Sequence, residues 1–179
     1  MEIHHTKGSF HFSCGECIWL AGPNGSGKTE LLKWLAHNGY GVLVPARYSK
    51  PLFMNEEARR RMEGAQQLLE MGSRNSVLGK ADELKARIAL ALTRKTDLLL
   101  LDNPVEGMDI QNRQAALQAL RQLAHKTGMA ILFTSHEFSD SLSVAHRVLA
   151  ITPGGSLVES TPDTRLDTLR AAFPLATIE

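Results

Sequence analysis

The pattern of apolar and polar positions predicts short strands alternating with helices. Runs at 1–5, 9–12 and 16–21 read as strands punctuated by Gly8 and Gly15. The third, Cys17-Ile18-Trp19-Leu20-Ala21, is apolar throughout, as a strand covered on both faces requires. A glycine-rich turn follows, then a helical run from about Lys28 to His37 closed by Asn38-Gly39, and a short strand from Gly41 to Pro45. Residues 46–80 are polar and charge-rich and read as a small helical lobe at the sheet edge. Within it a helix is predicted at about 55–71, with Asn55 as cap and Gly72 as stop. A helix at roughly 82–94 leads into Asp97 to Asp102, whose four consecutive leucines predict a central parallel strand. Asp109 caps a predicted helix to about Lys126, followed by a strand at 130–135 and a short helix near 137–145. A hairpin over 147–159 turns on Pro153-Gly154-Gly155, and Thr161-Pro162 is expected to open a C-terminal helix. Helices alternating with buried strands define an α/β sheet.

Composition narrows the class. The 179 residues are expected to form a single domain, 1–179, and 43% hydrophobic content excludes a disordered chain. The longest aliphatic run, Leu98 to Leu101, falls far short of the ~20 residues of a membrane helix. Twenty basic against nineteen acidic side chains leave a net charge of +1, which argues against a nucleic-acid partner. The opening Met1-Glu2-Ile3-His4-His5 lacks the features of a secretory signal, and two cysteines imply no disulfide framework, so a cytoplasmic location is expected. Cys14-Gly15-Glu16-Cys17 is a lone C-x-x-C that enters a strand, and reads as a turn rather than a metal or redox site.

The chemistry concentrates at Gly22-Pro23-Asn24-Gly25-Ser26-Gly27-Lys28-Thr29, which matches G-x-x-x-x-G-K-[ST] at every fixed position. Glycines allow successive backbone N–H groups to point inward at phosphate oxygens. Lys28 supplies a point charge for β- and γ-phosphates, Thr29 a hydroxyl for Mg²⁺, and the helix beginning here its positive dipole end. Asp102, ending the leucine strand, is the expected carboxylate partner for Mg²⁺.

These residues resemble the ATP-binding cassette (ABC) ATPases over almost the whole chain. Gly15-Glu16, a strand and Gly22 to Thr29 are similar to the family's opening, and Lys85 to Asp102 to its signature helix and Walker B strand. Asp102-Asn103-Pro104 with Gly107-Met108-Asp109 resembles Walker B and D-loop, Ile131 to His136 the switch strand, and His146 to Ile151 the closing strands. The resemblance implies a P-loop NTPase core: a mostly parallel sheet flanked by helices, with an N-terminal antiparallel β element and a reduced helical lobe. It also implies an ATPase, with ATP and Mg²⁺ as cofactors, that sandwiches nucleotide in a homo- or heterodimer. His136 would contact the γ-phosphate and Asp109 would reach across the dimer. Each has a plainer reading, a helix-cap histidine and an N-cap aspartate.

Departures from the family pattern weaken the expected catalysis. The position after Walker B, normally glutamate, is Asn103, which cannot accept a proton at neutral pH. The signature aligns with Leu78-Gly79-Lys80-Ala81-Asp82 and lacks its serine, which Lys80 is a candidate to replace with a charge. The Q-loop glutamine falls at Ala46, and Glu30 follows Thr29 where a hydroxyl is common, so Glu30 is expected to point away from phosphate. Only 48 residues separate Thr29 from Leu78, so the lobe and Q-loop that grip a membrane partner are reduced. Arg59-Arg60-Arg61 reads as a solvated helix face, Arg47, Tyr48, Lys50 and Phe53 as surface, and His4, His5 and Phe10 as weak candidates for an adenine contact. The expected function is an ATP-binding subunit of a transporter or related assembly, with slow or partner-dependent hydrolysis and a transmembrane permease as possible partner. The alternative is a non-catalytic nucleotide sensor paired with a complete ABC ATPase; a P-loop kinase lacks an identifiable acceptor site or lid.

Overall fold

A computed structural model describes residues 1–46, 80–161 and 163–173. The predicted 55–71 helix, the rest of the lobe, Leu78, Gly79 and Pro162 lie outside the described residues. Eight strands and five helices are described: β1 (Glu2–His5), β2 (Gly8–His11), β3 (Cys17–Ala21), α1 (Lys28–His37), β4 (Val42–Val44), α2 (Lys80–Leu92), β5 (Leu98–Leu101), α3 (Ile110–Thr127), β6 (Ala130–Thr134), α4 (Phe138–Val144), β7 (Arg147–Ile151), β8 (Leu157–Glu159) and α5 (Arg165–Ala172). Strands β1 and β2 form an antiparallel pair, and the main sheet runs β4-β5-β6-β3-β7-β8. All its pairings are parallel except β7 with β8.

Each central strand is buried on both faces, and alternate residues feed two cores. Trp19, Leu99, Leu101, Ile131 and Phe133 pack with apolar residues of α2, α3 and α5. Ile18, Leu20, Leu98, Leu100 and Leu132 face α1 and the β1–β2 pair, where Ile3, Phe10 and Phe12 complete the second core. The four leucines of β5 thus divide two and two between the layers, which an amphipathic strand could not do. Asp109 opens α3 as the sequence predicts, and Gly128, which the sequence reading did not single out, closes it. Asp109 Oδ1 accepts from the Asn112 backbone N–H at 2.9 Å, and Gly128 closes the helix with φ 71°.

One boundary differs from expectation. The C-terminal helix begins at Arg165, not at Thr161-Pro162, with Thr164 as its N-cap. Thr161 and Thr164 exchange backbone and hydroxyl hydrogen bonds at 2.9–3.3 Å, a reciprocal capping turn that precedes the helix rather than forming part of it.

Buried polar groups lock the strands together. Arg147, buried on β7, pairs with Glu16 at 2.8 Å and with Glu159, and donates to the His11 carbonyl. Beside it, His146 Nδ1 accepts the Cys17 backbone N–H at 3.0 Å, and burial holds its pKa below the ordinary 6.5. The neutral ring is therefore the folded-state form. The unfolded chain takes up a proton below about pH 6.5 that the folded chain resists, so this contribution is present at neutral pH and lost as pH falls. His146→Asn, which retains an acceptor near the Nδ1 position, is expected to flatten the fall in melting temperature between pH 7 and 5; parallel melting curves across that range check this.

Candidate functional site

The site forms where β3, β5 and β6 end at one edge of the sheet. Register sets the level: Leu101 pairs with Phe133, and Leu20 with Thr134, so the residues following β3 and β5 and the last of β6 meet. Chain leaving β3 turns through Gly22 to Gly27 directly into α1. Gly22 is a steric requirement, with φ 151°; a Cβ there would lie 2.8 Å from Ser26 Oγ and 2.9 Å from the Ile151 carbonyl oxygen. Gly27 occupies the N-cap of α1 at φ 93° and contributes no side-chain cap, which leaves the first amides of the helix directed at the cleft.

Lys28 folds back over the loop it ends. Its Nζ donates to the Gly22 carbonyl at 2.7 Å and the Pro23 carbonyl at 2.9 Å. Partial burial lowers its pKa, and the Asp102 carboxylate opposes that shift. Thr29 Oγ1 lies 3.1–3.2 Å from both carboxylate oxygens of Asp102, which brings together the two predicted metal ligands. Ser26 Oγ is buried without a hydrogen-bond partner, an orphan donor inside the loop. An uncapped helix start, a lysine bridging loop carbonyls, an orphan hydroxyl and a Thr–Asp pair together fit a polyphosphate with a divalent cation.

A cleft of about 500 Å³ opens over these groups and is also lined by Asn24, Ala46, Asn103, Glu106, Thr134 and His136. Asn103 takes a left-handed backbone, φ 44°, and its N–H donates to Thr134 Oγ1 at 2.8 Å. His136 is exposed on the cleft wall just beyond β6, and Glu137 rather than His136 stands at the N-cap position of α4, without a side-chain capping bond. Trp19 fixes the approach to it, for its buried Nε1 donates to the Ser135 carbonyl at 3.3 Å. Glu30 is exposed and paired with Lys33 at 2.8 Å, yet it also lines the rim of this cleft. Lys80 Nζ rests 3.4 Å from the Glu106 carbonyl of its own chain. The candidate adenine contacts separate: Phe10 is buried against Phe12, His5 is edge-on to Trp34, and His4 is exposed with a bond to Ser9. Cys14 and Cys17 are free thiols, and no group of three metal-ligating side chains occurs among the described residues. Burial in β3 pushes the Cys17 thiol up to about 12, far from a reactive thiolate.

Two site residues escaped the sequence reading. Thr134 ends an apolar strand, donates to Asp102 Oδ1 at 3.0 Å and receives the Asn103 N–H. Its signal was a lone hydroxyl closing Ala-Ile-Leu-Phe-Thr opposite Leu20 of the loop-bearing strand. Arg87, buried on α2, donates through Nη1 to the Pro45 and Ala46 carbonyls, both at 2.7 Å, and ties that helix to the chain leaving β4. An arginine in a helix that also carries Leu84, Ile88 and Ala91 into the core gave no distinct signal of its own.

Comparison with known proteins follows the same line. No protein-family profile matches the chain. It is 32% identical to the Nod factor export ATP-binding protein I of Burkholderia thailandensis, covering 89% of this chain and 66% of that protein. It is 30% identical to the zinc import ATP-binding protein ZnuC of Roseobacter denitrificans over 86% of this chain and 71% of that one. The chain therefore spans about two thirds of the length of these curated relatives. Among solved structures, an inward-facing putative metal-chelate type ABC transporter matches with TM-score 0.71 at 20% identity, over 93% of this chain and 81% of that chain. A bacterial ABC transporter cassette solved as a dimer matches with TM-score 0.64 at 16% identity, over 86% and 88%.

Thr134→Val keeps shape but leaves the Asn103 N–H and the Asp102 carboxylate without this hydroxyl. Unfolding free energy is expected to fall by about 1–3 kcal/mol, measured by denaturant titration.

Proposed function

This chain belongs to the ABC ATPase family, and from that premise we propose that it is the nucleotide-binding subunit of a transporter or related assembly, binding ATP with Mg²⁺. The observation that carries the reading is the joining of Lys28, bracketed by the Gly22 and Pro23 carbonyls, to the Thr29–Asp102 pair at the uncapped start of α1. Lys28 exchanges its carbonyl bonds for phosphate oxygens, and the loop amides receive the remaining negative charge. Thr29 and Asp102 would hold Mg²⁺, which when bound neutralises charge on the phosphates. Thr134 holds Asp102 in place and, through the Asn103 N–H, sets the course of the chain after it.

Hydrolysis is proposed to be slow or partner-dependent. Asn103 stands on the cleft wall where the family carries glutamate, and its amide orients water without accepting a proton. His136 faces the same cleft and is assigned to the γ-phosphate. Asp109 and Lys80, both exposed, lie on the side where a second subunit, identical or not, would close the nucleotide between two chains. A transmembrane permease is the proposed membrane partner, and the proposed location is the cytoplasm, peripheral at the membrane. No described helix is long and apolar enough to cross a membrane. The chain is proposed to be one ATP-binding domain over 1–179, with its reduced lobe at about 46–80. Asn103 also favours a second reading, a nucleotide sensor that pairs with a complete ABC ATPase.

Calorimetry should show Mg-ATP binding that Lys28→Ala abolishes and that chelation of the metal weakens. Steady-state phosphate release separates the two readings. Wild-type turnover above the Lys28→Ala background, raised by Asn103→Glu by up to about 10²-fold, marks a weakened ATPase. A wild-type rate equal to that background marks the sensor.

A further inference from the structure

The β1–β2 turn carries Lys7 onto the outer edge of the glycine-rich loop. Its backbone is held on both sides: the Lys7 N–H donates to His5 Nδ1 at 3.1 Å, and its carbonyl accepts the Leu157 N–H at 2.9 Å. The side chain then crosses to the loop, where Nζ lies 3.4 Å from the Ser26 carbonyl. It packs 3.7 Å from the points where a Cβ would stand on Gly27 and on Gly155. The ammonium is thus wedged between the phosphate loop and the β7–β8 turn, against two residues that lack side chains. Among the described residues no carboxylate pairs with it.

That placement is unfavourable for the protein alone. One long carbonyl contact is poor compensation for a half-buried ammonium. Gly27 is also the N-cap of α1, so Lys7 stands beside the positive end of a helix dipole. Lys28, a second ammonium, projects from the first turn of that same helix, and the Asp102 carboxylate, which also accepts from Thr29 and Thr134, acts on Lys28. Two lysines and a helix N-terminus thus collect at one loop, a concentration of positive charge that favours an anion there.

We propose that Lys7 is a second phosphate-binding cation for the nucleotide, delivered by the hairpin from the side of the loop opposite Asp102. The inference rests on the nucleotide-binding reading above. On binding, Lys7 releases the Ser26 carbonyl and turns to a phosphate oxygen of the polyphosphate, while Lys28 turns inward from the other side. The β1–β2 hairpin, whose His4, His5 and Phe10 are poorly disposed to stack on a base, thereby contributes charge to the site instead of an aromatic surface.

Calorimetric titration of wild type, Lys7→Gln, Lys7→Arg and Lys28→Ala with Mg-ATP and with inorganic tripolyphosphate, each at two salt concentrations, tests this. Lys7→Gln is expected to weaken both ligands about 10-fold, in keeping with one charge-assisted hydrogen bond, and to make affinity less sensitive to salt. Lys7→Arg is expected to keep most of the affinity, and the unliganded melting temperature of Lys7→Gln to stay near wild type. Affinity of Lys7→Gln equal to wild type, with Lys28→Ala still inactive in binding, overturns the Lys7 assignment and leaves the nucleotide site standing. A loss with ATP alone moves Lys7 to the nucleoside and overturns the phosphate contact. A loss with unchanged salt sensitivity, or with a lowered melting temperature that arginine does not restore, makes Lys7 a strut for the loop and also overturns it. No binding by wild type overturns both readings together.

Discussion

Burial of β3 between β6 and β7 is the constraint on which the rest depends. A strand covered on both faces cannot end in a loose loop, because its last carbonyl and the first amides of α1 would remain unpaired in the interior. The chain resolves this by coiling the turn so tightly that Gly22 admits no Cβ, and by bringing Lys28 back onto the turn's own carbonyls. Loop, helix start and lysine are therefore one object. Parallel pairing of β6 with β3 and of β5 with β6 brings Thr134 and Asp102 to the same level, so the acid and the hydroxyl arrive with the loop rather than by separate arrangement.

The polar groups at this edge form a connected set in which each orients the next. Thr134 holds Asp102 and anchors the Asn103 amide, Asp102 accepts from Thr29, and Trp19 below them holds the Ser135 carbonyl that precedes His136. Asn103 enters this set through its backbone N–H, which Thr134 Oγ1 accepts at 2.8 Å. Arg87 adds a related connection, pinning the Pro45 and Ala46 carbonyls, and so the chain leaving β4, to α2.

Much of this was legible in the chain. The glycine-rich motif, the four leucines ending in Asp102, the Asp109 cap and the order of strands and helices are local properties: backbone freedom, apolar runs and capping groups act on neighbours in sequence. The phosphate-binding chemistry followed from the same short stretch, because its residue types are dictated by contact with an anion. The family resemblance added the mostly parallel sheet and the roles assigned to Asn103 and His136.

Tertiary structure decided what depends on partners distant in sequence. Thr134 met Asp102 and the Asn103 N–H only through the pairing of β6 beside β5, Arg87 met its two carbonyls 41 and 42 residues away, and Lys7 met the Ser26 carbonyl 19 residues on. The last helix likewise starts only at Arg165, after the Thr161–Thr164 turn. Periodicity announces which face is buried, whereas a lone polar side chain on that face discloses its partner only when the chain has folded around it.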